Sequence, residues 1–148
     1  MIINKDEIHE KISRNGLKVT HQRMVIYGAV AGMTHHPTAD HIFEAIHEEN
    51  PSISLGTVYK TLDTFVEKGI LKKVFTTNGQ MRYDPRTENH GHIYCSNTDE
   101  IIDYYDKDLN EVIVQFFKKK RVNNLMINNI TLQINARKID PDKDISIK

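Results

Sequence analysis

His90 and His92 stand one residue apart in the stretch ENHGHIYCSNTDE, and Cys95, the only cysteine of the chain, follows three residues later. Imidazole nitrogens bind divalent first-row ions. On an extended segment residues i and i+2 point the same way, roughly 6.5–7 Å apart, so both rings could face one ion. Two rings make half a site. The chain has eight histidines, at 9, 21, 35, 36, 41, 47, 90 and 92, so surface and helix-capping roles stay open for each. Cys95 lies beside Ile93 and Tyr94 and reads as a small buried core residue. A single cysteine forms no internal disulfide, which fits a reducing cytoplasm.

Four helical signals fill the first half. DEIHEKISRNG carries Ile8 and Ile12 at i,i+4 and ends at Gly16, a suitable residue just past a helix end. THQRMVIYGAVAG starts at Thr20, a natural N-cap, and puts Met24, Tyr27 and Ala31 on one face. TADHIFEAIHEEN starts at Thr38, groups Ile42, Phe43 and Ile46, and stops before Pro51, because the residue before a proline avoids the helical region. SLGTVYKTLDTFVEKGI starts at Ser54, aligns Val58, Leu62, Phe65 and Val66, and stops at Gly69. Two strands around Asn78-Gly79 follow, because both residues of that pair tolerate positive φ. Helices followed by a β-hairpin outline a winged helix-turn-helix.

The second half begins near Pro85. HIYC and EIIDYY read as short strands. DLNEVIVQFFKKK reads as an amphipathic helix, with Asp108 at its start and Lys118, Lys119 and Lys120 at its end, as the helix dipole favours. LMINNITLQINARK reads as a strand with Ile130, Leu132 and Ile134 on one face. The expected architecture is α+β: a winged-helix DNA-binding domain over 1–84 and a small α/β dimerisation and metal-sensing domain over 85–148. The second unit is too small to bury much core alone, so a homodimer is expected.

Twenty Lys and Arg balance twenty Asp and Glu. Net charge therefore selects no partner, and residues 1–83 are nearly neutral, with ten basic and nine acidic side chains. No apolar run approaches the ~18–20 residues of a membrane span, and no secretory signal is visible. A cytoplasmic protein without a membrane partner is expected.

A winged helix offers the N-terminal part of its recognition helix to the major groove of double-stranded DNA. Here that helix is 54–67, which makes Ser54, Thr57, Tyr59 and Lys60 candidate DNA contacts. Lys60 can reach phosphate or guanine, and the Tyr59 ring can meet a thymine methyl. Lys18 and Arg23 flank the second helix. Lys72, Lys73 and Arg82 on the wing are candidate backbone contacts.

GLKVTHQRMVIYGAV, HPTADHIFEAI, SLGTVYKTLDTFVEKGIL and HGHIYC, in that order and spacing, resemble the ferric uptake regulator family of bacterial metal-dependent repressors over about residues 10–138. The resemblance implies a homodimer that binds inverted-repeat operators when metal is bound, with Tyr59 in contact with DNA. It adds His36, Asp84 and Asp103 to His90 and His92 as ligands of one regulatory site per chain. Three imidazoles and two carboxylates suit Fe²⁺ or Mn²⁺, with Zn²⁺ possible. Asp at both variable carboxylate positions resembles the peroxide-sensing subgroup. There, iron-driven reduction of hydrogen peroxide leads to oxidation of ligand imidazoles, at positions matching His36 and His90, and repression is lifted. An iron- or zinc-uptake repressor of the same family is the alternative.

Two histidines and an aspartate also occur in non-haem iron oxygenases. Five candidate ligands leave little open coordination, and no cofactor motif is visible, so an enzyme is not expected. The family's structural zinc needs two CxxC pairs. Here position 98 is Thr98 and the second pair is missing near INARKIDPD, so no structural zinc is expected.

Overall fold

The computed structural model describes residues 3–147, which form two compact units that divide after Glu88. The first unit holds α1 (Lys5–Arg14), α2 (His21–Gly32), α3 (Ala39–His47), α4 (Leu55–Glu67) and a hairpin of β1 (Lys72–Phe75) with β2 (Met81–Asp84). Each helix starts where a side chain satisfies an otherwise unpaired amide. Asn4, Thr20, Thr38 and Ser54 accept from the backbone N–H of Glu7, Arg23, His41 and Thr57. Past the ends of α1 and α4, Gly16 and Gly69 take φ of 79° and 74°.

Ile8 and Ile12 of α1, Ile26 and Val30 of α2, Ile42 and Ile46 of α3, and Val58, Leu62 and Phe65 of α4 share one core with Ile70, Leu71 and Tyr83. The expected face holds for α1, and for α4 at Val58, Leu62 and Phe65. On α2 the buried stripe is Ile26, Tyr27, Val30 and Ala31, and Met24 is only partly covered. Phe43 and Val66 are likewise half-buried at the core's edge.

The expected hairpin around Asn78-Gly79 forms, with a longer turn than that pair alone. Phe75 pairs with Met81, so five residues, 76–80, close the hairpin. Only Gly79 has positive φ, at 81°. Asn78 works through its side chain instead, accepting from the Gln80 N–H at 3.0 Å, the local mimicry of a turn that asparagine favours.

The second unit is a three-stranded sheet ordered β4-β3-β5, with β3 (Gly91–Cys95), β4 (Glu100–Tyr104) and β5 (Gln133–Ala136). Helix α5 (Lys107–Lys119) connects β4 to β5 and starts at the Asp106 cap. The β3–β4 pair is antiparallel and the β3–β5 pair is parallel. The last strand is shorter than its sequence pattern. His92 pairs with Gln133, so residues before Leu132 have run past the start of β3 and find no ladder partner. Ile130 therefore lies outside the strand, and Leu132, just before it, meets β3 through its carbonyl.

None of the described residues of α5 is buried. Leu109, Ile113 and Phe117 face a cavity of about 800 Å³ that Tyr104 and Leu132 also line. Val112 and Phe116 are 64% and 50% exposed.

Candidate functional site

In the first unit the chain enters α3 through His36-Pro37. His36 has φ of 53°, a left-handed backbone that a non-glycine residue adopts only when its surroundings enforce it. Two bonds from β2 enforce it here. The Tyr83 N–H donates to the Pro37 carbonyl at 3.0 Å, and the Arg82 guanidinium donates to the His36 carbonyl at 3.2 Å. Both donors precede Asp84 on the same strand. The outcome is a buried pair, with His36 Nε2 3.4 Å from Asp84 Oδ2. The other Asp84 oxygen accepts from the Arg86 N–H at 2.9 Å.

In the second unit His92 and Asp103 are cross-strand partners in the β3–β4 ladder. Directly opposed residues share a face, so their side chains meet. His90 lies two residues earlier and points the same way, its ring 4.6 Å from the His92 ring. Asp103 Oδ1 lies 3.2 Å from His90 Nε2 and 3.4 Å from His92 Nε2. Both rings are buried, and Asp103 is partly open.

Those separations fit a metal. With bonds of about 2.1 Å, donors at right angles are about 3.0 Å apart and tetrahedral donors about 3.4 Å apart. Imidazole nitrogen and carboxylate oxygen are ligands that Fe²⁺, Mn²⁺ and Zn²⁺ all accept. The i,i+2 reading of His90 and His92 describes their geometry correctly. What it missed is the strand partner, because only the register of β3 on β4 puts Asp103 between the rings. Neighbouring His35 points elsewhere and is exposed, its ring 5.6 Å from the His41 ring. Partial burial and then the nearby His41, Arg82 and His36 lower its pKa. His41 serves as a cap, its Nδ1 accepting from the Thr38 N–H.

A second region of the first unit gathers several of the residues expected at DNA. Lys18, Arg23, Thr57 and Lys60 line one concave surface with Thr20, Gln22, Thr61 and Thr64. Thr57, Lys60, Thr61 and Thr64 recur there at helical spacing. Ser54 is engaged as the α4 cap, its Oγ 2.9 Å from Thr57 Oγ1. Tyr59 lies apart from this concavity, and its hydroxyl donates to Asp40 Oδ2 at 3.2 Å.

Of the wing basics, Arg82 needs correction as a phosphate contact. Arg82 is buried beneath His36. Lys72 donates to the Glu88 carbonyl, and Lys73 pairs with Asp63 at 3.3 Å. Hydrophobic alternation does not reveal that a basic side chain turns inward to hold a loop.

Cys95 is a buried free thiol opposite Ala136. Past it, polar bonds tie the β3–β4 turn to the chain after β5. Asn97 exchanges two bonds with the Lys138 backbone, at 3.0 and 3.1 Å. Lys138 Nζ lies 2.6 Å from Glu100, whose other contact is the Thr98 hydroxyl. The Lys138 contact, more than the Thr98 bond, lowers the Glu100 pKa, and Glu100 in turn raises that of Lys138.

The family model described as "Ferric uptake regulator family" matches residues 14–134. The peroxide-responsive repressor PerR of Staphylococcus aureus is 35% identical over 109 residues, 72% of this chain and 74% of that protein. The Campylobacter jejuni peroxide stress regulator is 29% identical, with a TM-score of 0.68 over 90% of this chain and 98% of that one. The Helicobacter pylori ferric uptake regulator has a TM-score of 0.79 over 98% of both chains at 20% identity, a likeness of fold. The sequence carries the conclusion: this chain belongs to the ferric uptake regulator family.

Proposed function

We propose that this family member is a metal-responsive, DNA-binding transcriptional repressor that peroxide inactivates. The observation that carries the reading is Asp103 Oδ1 set 3.2 and 3.4 Å from two buried imidazole nitrogens. The likeness to peroxide-responsive repressors supports the peroxide response.

In this reading His90, His92 and Asp103 of the second unit and His36 and Asp84 of the first serve one Fe²⁺ or Mn²⁺ ion, with Zn²⁺ able to occupy the same donors. An ion that needs ligands from both units favours whichever arrangement supplies them, and so shifts the population toward a DNA-competent form. Bound iron would supply the reduction of hydrogen peroxide. The chain's own contribution is to hold His36 and His90 as the imidazoles exposed to that chemistry. Lys18, Arg23, Thr57, Tyr59 and Lys60 face DNA, and the Ser54 cap fixes the start of the helix that presents them. The target is an inverted-repeat operator, and the setting is the cytoplasm. No helix among the described residues is long and apolar enough to cross a membrane.

Mass spectrometry tests the peroxide step. Peptides carrying His36 or His90 from Fe²⁺-loaded protein should gain one oxygen after peroxide treatment, and Mn²⁺-loaded protein should gain none. If the iron form gains no oxygen at either histidine while metal-dependent operator binding persists, the protein is a plain metal sensor.

A second copy of the chain is the partner that covers α5. Val112 and Phe116 leave apolar surface open on a unit too small to bury much core alone. The double substitution Val112→Asp and Phe116→Asp should convert a dimer to a monomer in sedimentation velocity and weaken operator binding at least about tenfold, since half the contacts are lost. A dimer that persists would place its interface elsewhere.

A further inference from the structure

The two flanks of α4 carry opposite charge. On one flank Thr57, Lys60, Thr61 and Thr64 share a concavity with Lys18 and Arg23. On the other flank, Tyr59 and Asp63 meet Asp40 of α3 and Lys73 of the wing. Lys73 is balanced by Asp63. Asp40 is an exposed carboxylate in the first turn of α3, where the helix dipole favours a negative charge. It accepts a hydrogen bond from the Tyr59 hydroxyl.

We propose that Asp40 is a specificity-determining residue for DNA, acting through Tyr59 and through its own charge; the inference rests on the repressor reading above. It holds the Tyr59 hydroxyl, so the ring is fixed on α4 before DNA arrives. The ring then offers an apolar edge to a base, such as the methyl of thymine, and the hydroxyl is withheld from phosphate. Partial burial, then the charge and hydrogen bond of Asp40, raise the Tyr59 pKa, as expected for a hydroxyl donating to a carboxylate. The carboxylate accepts hydrogen bonds and repels phosphate. A duplex shifted toward the α3 side of α4 would bring backbone against Asp40, whereas one centred on the Lys18, Arg23 and Lys60 side would not. Asp40 therefore penalises off-register, sequence-independent docking. Such docking is mostly phosphate contact and is the main competitor of specific binding.

The test uses full-length Mn²⁺-loaded protein, a duplex that it selects from a random pool, and a scrambled duplex of equal length. Asp40→Asn keeps an acceptor for Tyr59 and removes the charge. It should raise affinity for the scrambled duplex about three- to tenfold at low salt and less at higher salt, as screening predicts. Its affinity for the selected duplex should change less, so the specificity ratio falls while the melting temperature stays near wild type. Asp40→Ala and Tyr59→Phe should each weaken binding to the selected duplex, and the double variant should be no worse than the poorer single, because both remove one contact. Additive losses, or an unchanged specificity ratio in Asp40→Asn, overturn the inference and leave the repressor reading intact. A wild-type protein that selects no duplex overturns both.

Discussion

Asp103→Ala should lower Mn²⁺ affinity by at least about a hundredfold and abolish metal-dependent operator binding at metal concentrations that saturate the wild type. Asp103 is placed against two imidazoles, with Oδ1 3.2 Å from His90 Nε2 and 3.4 Å from His92 Nε2. Removing it takes away an anionic ligand and also the group that orients both rings. Changing only the partners that orient a ligand already costs about ten- to a hundredfold in metal affinity, so loss of a ligand should exceed that range. Asp103 is partly exposed and the ladder hydrogen bonds of β4 are made by backbone, so the apo fold should lose only about 1 kcal/mol. Competition against a fluorescent chelator gives the affinity, and urea unfolding of the apo protein gives the stability. Wild-type affinity in a folded Asp103→Ala protein would remove Asp103 from the site.

The contrast between what could and could not be read from sequence lies in the range of the interaction. Helix starts were legible because Thr20, Thr38 and Ser54 act on amides three residues away. His90 and His92 were legible as a pair because strand periodicity is local. Asp103 is different. Its place opposite His92 depends on the length of the β3–β4 turn, so only family resemblance pointed to it. Arg82 shows the limit from the other side. A basic residue on a wing reads as a phosphate contact, yet this one holds the His36 carbonyl from 46 positions away. The start of the last strand followed the same rule, since β5 begins where β3 offers partners and not where its own alternation begins.

Gly91→Ala should test how closely the sheet and the metal site depend on each other. Gly91 needs no unusual backbone, and its φ is not in the left-handed region. What it supplies is space. A Cβ there would sit 2.7 Å from the Leu132 carbonyl oxygen and 3.3 Å from that of Tyr104, both backbone atoms on the flanking chains. Neither can swing aside as a side-chain end can, so the chain entering β5 must move. The first bond at risk is the His92 N–H to the Leu132 carbonyl, now 3.1 Å. Losing it frees the start of β3, and with it the side chains on either side of Gly91, which are the two histidines. Overpacking of this kind costs about 1–3 kcal/mol, a large share of the stability of a small unit. Manganese affinity should fall about tenfold or more, since small displacements of positioned groups are expensive. Gly32→Ala is the control: its added methyl meets nothing within 4 Å, and alanine suits a helix end, so stability should hold or rise slightly. Hydrogen exchange of the β5 amides would follow the sheet while chelator competition follows the site. Loosened β5 amides with unchanged manganese affinity would show that His90 and His92 are held by Asp103 alone. Loss of both together would show that the small residue between the histidines lets the sheet close and aims them.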